Sequence, residues 1–183
     1  MQIDRIIFPV ETLGPGRRIV IWTIGCPRRC KDCSNPELWN IDPQKDIDIS
    51  DLIKIINNQT DVDGITITGG DPFYQRNELL KLVNEIKRKG INDILIYTGY
   101  LYEELQQDEV SKEIINNISA LVDGPYIAEL NDNIGLRGSS NQRLFVLNKK
   151  YTSLYEYFEY EKRHQQNFVN NGSVISVGIP NKS

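Results

Sequence analysis

The run Arg18-Ile19-Val20-Ile21-Trp22-Thr23-Ile24 is apolar and rich in β-branched residues, and Gly25 closes it. That pattern predicts a strand buried on both faces which hands the chain to a loop. Beyond a polar stretch, Leu52, Ile53, Ile55 and Ile56 recur at helical spacing, predicting a helix over residues 50–58 with Ser50 as its cap. A second strand is predicted at 64–68. The next helix spans 76–89, with Leu79, Leu80, Val83 and Ile86 on one side and Gly90 placed to stop it. A third strand follows at 93–97, and helical segments over 102–117 lead to a strand at 120–122, ended by the turn Asp123-Gly124-Pro125. Strands at 144–147 and 174–177 complete the set, while 151–163, rich in Tyr and Glu, fits helix or loop.

Strands that alternate with helices imply parallel pairing, because each crossover returns the chain in the same direction. About six such βα units are too few for a closed eight-stranded barrel. The expected architecture is therefore α/β, a partial six-unit TIM-like barrel with a mostly parallel sheet. Ligands then gather at the C-terminal ends of the strands.

Composition narrows the class. A chain of 183 residues suits one domain, here 1–183, and 39% hydrophobic with 25% charged residues is ordinary for a folded protein. No apolar run reaches the roughly 18 residues that cross a bilayer, and the start MQIDRIIFPVETLG lacks the basic end and long apolar stretch of a signal peptide. A cytoplasmic protein with no membrane partner is expected. The formal net charge of -4 argues against direct nucleic-acid binding, which draws on clustered Lys and Arg. The basic run at 85–89 reads as a solvated helix end.

All three cysteines fall within Gly25-Cys26-Pro27-Arg28-Arg29-Cys30-Lys31-Asp32-Cys33, so no disulfide framework is expected. The spacing CxxxCxxC lets three thiolates converge on one inorganic centre, and iron–sulfur clusters, which usually take four, would keep one iron without a protein ligand. Other readings remain open: a structural zinc with a remote fourth ligand, or thiols with no metal. The single histidine, His164, sits among Lys162, Arg163 and Gln165 and reads as exposed.

At these residues a resemblance becomes specific. CxxxCxxC after the first strand resembles the signature of the radical S-adenosylmethionine superfamily. Thr68-Gly69-Gly70-Asp71-Pro72 resembles the family's GGE motif, which meets the amino group of the methionine moiety. Glycines permit close backbone approach, and a carboxylate accepts from an ammonium. Tyr97-Thr98-Gly99-Tyr100 is similar to the TGY of small glycyl-radical activating enzymes. Asp123-Gly124-Pro125-Tyr126 with the segment from Arg137 to Arg143, and Ser176-Val177-Gly178-Ile179-Pro180, resemble the activating proteins of anaerobic ribonucleotide reductase, so that similarity runs over 23–180. Taken singly, each segment is also readable as a strand-end turn, a cap or a surface loop. Two departures stand out: Asp32 occupies a position commonly aromatic, with Trp22 or Trp39 as candidate walls instead, and Asp71 replaces Glu.

The resemblance implies a 4Fe-4S cluster on Cys26, Cys30 and Cys33, with S-adenosylmethionine near Thr68, Gly69, Gly70, Asp71, Thr98, Asp123, Ser139, Asn141 and Gly178. It implies reductive cleavage of that cofactor to a 5′-deoxyadenosyl radical, with electrons from a flavodoxin-like or ferredoxin-like donor. The implied substrate is a protein, a glycine of anaerobic ribonucleotide reductase. A stand-alone radical enzyme acting on a peptide or metabolite, and a non-catalytic zinc or electron-transfer module, are the competing readings. Arg137 and Arg143 are placed either at cofactor or partner, or in surface ion pairs.

Overall fold

The computed structural model describes residues 1–170 and 172–181. Its main sheet has six strands in chain order: β1 (Ile3–Val10), β2 (Arg18–Thr23), β3 (Gly64–Gly69), β4 (Ile94–Tyr97), β5 (Ala120–Asp123) and β6 (Arg143–Val146). The pairs β2·β3, β3·β4 and β4·β5 are parallel, but both edges are antiparallel, β1 on β2 and β6 on β5. The sheet is mostly parallel as expected, but the expected six βα units are not reached, because the links 11–17 and 124–142 carry no α-helix and antiparallel neighbours need no crossover helix. The observed class is thus mixed α/β with a mostly parallel six-stranded sheet.

The strand expected at 174–177 lies in β8 (Ser173–Val177). It pairs with β7 (Gln166–Asn170) in a separate two-stranded sheet instead of extending the first. β1 escaped the sequence reading because Asp4, Arg5 and Pro9 interrupt its apolar pattern. An edge strand tolerates all three, and its register shifts between Ile7 and Val10.

Residues alternate between two buried faces. Ile19, Ile21, Ile65, Ile67, Ile94 and Ile96 pack against helices α1 (Ile49–Asn57), α2 (Arg76–Arg88) and α4 (Glu109–Asn116). Val20 and Trp22 join one cluster on the other face, and Leu95, Ala120 and Val122 another. Each fully buried Ile or Leu contributes on the order of 1.5–3 kcal/mol, so the strands are fixed in register from both sides.

Some boundaries moved. Asp48, not Ser50, occupies the cap of α1, and Ile55 of the expected apolar side is exposed. The helical stretch 102–117 divides into α3 (Tyr102–Leu105) and α4, because Asp108 accepts from the Ser111 amide at 2.8 Å and so starts a new helix. Residues 151–163 contain α5 (Thr152–Tyr160). No helix among the described residues is long and apolar enough to cross a membrane.

At the N-terminal ends of the parallel strands, Arg18 is fully buried. It donates to Asp93 Oδ2 at 2.6 Å, Thr66 Oγ1 at 2.7 Å and the Ile65 carbonyl at 2.8 Å, while Tyr155 of α5 donates to Asp93 Oδ1 at 2.8 Å. This end is closed by a satisfied polar cluster, and the opposite end opens onto a cavity.

Candidate cofactor site

β2 delivers its chain into the cysteine loop, which is stitched down at once. Gly25 N donates to the Leu38 carbonyl at 2.8 Å and Cys26 N to the Trp39 carbonyl at 2.9 Å, tying the loop to the 3-10 turn Pro36–Leu38. Arg29 and Asp32 adopt φ of 47° and 57° and supply the reversals that such close cysteine spacing demands. The three thiols are free and half-buried, and all line one cavity of about 560 Å³ at the C-terminal strand ends. Burial pushes the Cys26 and Cys30 thiols above their ordinary value, opposed by backbone hydrogen bonds from Arg28 and Tyr126 respectively. A bound cation reverses this balance, so metal loading here releases protons.

The end of β3 presses against the same loop. A Cβ on Gly69, whose φ is +107°, would lie 2.5 Å from Thr23 N, and one on Gly70 would lie 2.5 Å from the Gly25 carbonyl oxygen. Both positions need glycine for close approach. Thr68, Gly69, Gly70 and Thr98 line the cavity with the cysteines.

Asp71 stands behind that wall. Fully buried, it accepts through Oδ1 from Thr98 Oγ1 at 2.9 Å and Phe73 N at 3.1 Å, and through Oδ2 from Gly99 N at 2.9 Å. Burial raises its carboxyl to about 6 against the opposing pull of these donors and of Arg28. Its carboxylate therefore faces the loop after β4 rather than the cavity.

Asp123, Ser139, Asn141 and Gly178 likewise do not line the cavity; they shape segments that do. Asp123 accepts from Tyr102 N at 2.6 Å and pairs with Arg143, which also binds Glu103, so Arg143 is an ion-pair residue. Ser139 Oγ accepts from Ile127 N at 3.1 Å, and Asn141 donates to the Pro125 carbonyl at 2.8 Å. These bonds fold the 124–142 link and present Gly124, Tyr126, Gly138 and Gln142 to the cavity. Gly178, with φ of +142°, passes close to the His164 carbonyl and sends Ile179 and Pro180 to the wall. His164 is exposed and Arg137 pairs with Asp132.

Sequence reasoning missed Arg28 as a wall residue. It stacks over the Tyr100 ring at 4.6 Å and pairs with Glu104, fastening the cysteine loop to α3. A charged residue inside the cysteine motif was the available signal. Trp22 and Trp39, proposed as alternative apolar walls, both line the cavity.

Among the described residues, no three or more His, Cys, Asp or Glu side chains gather closely enough to hold a single metal ion. The donor set instead suits a cluster: three thiols on one loop face a cavity with room for a second ligand. Trp39 Nε1, Tyr97 Oη and Arg28 Nε are buried without a hydrogen-bond partner, and all three residues line the cavity. Such orphans cost about 1–3 kcal/mol each, which marks this wall as built to meet polar groups the chain does not supply.

The model of the family described as 4Fe-4S single cluster domain matches residues 12–145. The chain is 33% identical over 151 residues to the anaerobic ribonucleoside-triphosphate reductase-activating protein of Enterobacteria phage T4, spanning 79% of this chain and 94% of the relative. It is 33% identical over 144 residues to the protein of the same name from Escherichia coli (strain K12), spanning 74% and 92%. The pyruvate formate-lyase-activating enzyme of Staphylococcus aureus (strain USA300) is 34% identical over 96 residues, spanning 47% of this chain and 38% of that one. With its cysteine loop and glycine pair inside the matched stretch, the chain belongs to the radical S-adenosylmethionine family of glycyl-radical activating enzymes, which work with one 4Fe-4S cluster and S-adenosylmethionine.

Proposed function

We propose that this chain, acting as one domain over 1–183, installs a glycyl radical on an anaerobic ribonucleoside-triphosphate reductase. The observation that carries this reading is the convergence of Cys26, Cys30 and Cys33 on a cavity walled by Gly69 and Gly70, in a chain that aligns with 94% of a reductase-activating relative. Cys26, Cys30 and Cys33 hold the cluster. The half-buried, cavity-lining stretch Thr68, Gly69 and Gly70 meets the amino-acid part of S-adenosylmethionine, while Trp22, Ile179 and Pro180 give its nucleoside an apolar wall.

The bound cofactors supply one-electron cleavage of the sulfonium and the hydrogen-abstracting species. The chain's own residues bind, orient and exclude water. Asp71 holds the loop carrying Thr98 and Gly99 against the glycine pair, and Arg28 clamps the cysteine loop to α3. The electron donor is a flavodoxin-like or ferredoxin-like protein, and the compartment is the cytoplasm. The proposal is tested by anaerobic incubation of the reconstituted protein with the reductase, S-adenosylmethionine and reductant. A glycyl-radical resonance on the reductase is expected, and its absence with a fully loaded cluster would remove this substrate.

A further inference from the structure

Residues 146–170 and 172–181 lie beyond the stretch matched by the family model and lead from the β6 edge of the sheet back to the β1 edge. Gly135 N donates to the Glu161 carbonyl at 2.8 Å, and Lys162 bridges to Ile134, which pins the segment to the link between β5 and β6. Gln166 then bonds both the Glu11 amide and the Pro9 carbonyl at 3.0 Å, and Val177 buries itself with Val10, Leu13 and Trp22. The segment ends with Ile179, Pro180 and Asn181 on the cavity wall. It is a strap that joins the two edges of an open sheet across the site.

Arg163 sits where the strap crosses. Its side chain is only 2% exposed. Nη1 donates to Asn131 Oδ1 at 2.8 Å and to the Pro180 carbonyl at 3.0 Å, Nη2 donates to the Arg137 carbonyl, and Asp132 Oδ1 lies 3.7 Å away. Asn131 and Pro180 line the cavity, and the Arg137 carbonyl immediately precedes Gly138, which lines it too. One guanidinium thus ties two positions of the 124–142 link to the end of the strap. Its planar fork of donors suits acceptors spread in direction, which a compact ammonium serves less well.

We propose that Arg163 is a positioning residue for S-adenosylmethionine, latching the strap so that 179–181 form the wall opposite the cysteine loop. This rests on the reading that the cavity holds that cofactor. Without the guanidinium, the Arg137 and Pro180 carbonyls lose a part-buried donor, Asn131 Oδ1 keeps only the Asn133 amide, and the end of the strap is no longer tied to the 124–142 link, so the wall opens to water. The cysteine loop is held independently, by the Leu38 and Trp39 carbonyls. Cluster assembly and cofactor retention therefore separate.

The test compares Arg163→Ala and Arg163→Lys with the unsubstituted protein after anaerobic reconstitution. Iron per chain, the dissociation constant for S-adenosylmethionine from equilibrium dialysis, and KM and kcat for 5′-deoxyadenosine release are measured. The expected result for Arg163→Ala is full iron with the dissociation constant and KM raised about tenfold or more, and kcat changed far less. Arg163→Lys should fall between. Undiminished binding by Arg163→Ala would overturn the proposal, as would parallel loss of iron and binding in both variants, which would make Arg163 a general fold residue. Failure of the unsubstituted, iron-loaded protein to bind the cofactor would instead overturn the cavity reading itself, and the latch with it.

Discussion

The Thr98 hydroxyl donates to Oδ1 of Asp71 at 2.9 Å, joining the turn after β3 to the turn after β4 beneath the cavity floor. Gly99 N completes the link to Oδ2. Two motifs that each look like local turns are one unit, centred on a buried carboxylate.

That carboxylate makes stability pH-dependent in a predictable sense. Its folded value of about 6 exceeds its ordinary 3.8, because burial opposes the charge more than the donors favour it. The contribution is therefore fully present below the ordinary value and lost as pH rises through the folded one. Urea unfolding of the cluster-free chain should show Asp71 favouring the fold more at about pH 5 than at about pH 7, by on the order of 1 kcal/mol. Asp71→Asn should flatten this slope, and an unchanged slope would exclude Asp71 as its source.

The closed end of the sheet makes a separate prediction. Asp93→Ala leaves the guanidinium of Arg18 buried without its carboxylate, a loss of about 3–5 kcal/mol. Tyr155→Phe removes only one hydrogen bond to Asp93 and should cost about 1 kcal/mol. Equilibrium denaturation of both variants checks the ranking.

Gly70→Ala would push a methyl group into the Gly25 carbonyl, one residue from the first cysteine. Such a contact cannot relax by moving a side chain, because the neighbour is backbone. The variant should fold and yet lose most of its iron on reconstitution, as read by iron per chain alongside circular dichroism.

Both tryptophans of the chain line the cavity. Cluster assembly should therefore quench most of the intrinsic tryptophan emission, and Trp22→Phe and Trp39→Phe should each leave a single quenched emitter. Emission that persists on assembly in either variant would place that tryptophan away from the cluster.

The sequence disclosed the parts of this site whose chemistry is local. Three cysteines in eight positions and a glycine pair ending a strand are informative without coordinates, and the central strands showed through their β-branched runs. Strand direction at the edges did not, because apolar periodicity carries no polarity of the chain. β1 was hidden by Asp4, Arg5 and Pro9, and β7 by a polar sequence whose pairing with β8 is a tertiary matter. The roles within the 124–142 link were hidden for another reason. Ser139 and Asn141 hydrogen-bond to backbone some distance along the chain, so their motif was visible and their direction was not. Arg163 looked like one charge among neighbours, and only its burial between Asn131, Arg137 and Pro180 distinguishes it.

The central claim is that three thiols of one loop carry a cluster able to split S-adenosylmethionine. It is tested most directly by measuring 5′-deoxyadenosine released from the reduced, anaerobically reconstituted protein beside Cys30→Ala. Release by the unsubstituted protein and only background from Cys30→Ala is the predicted result. Equal release from both, or none from an unsubstituted protein carrying its full cluster, would contradict it.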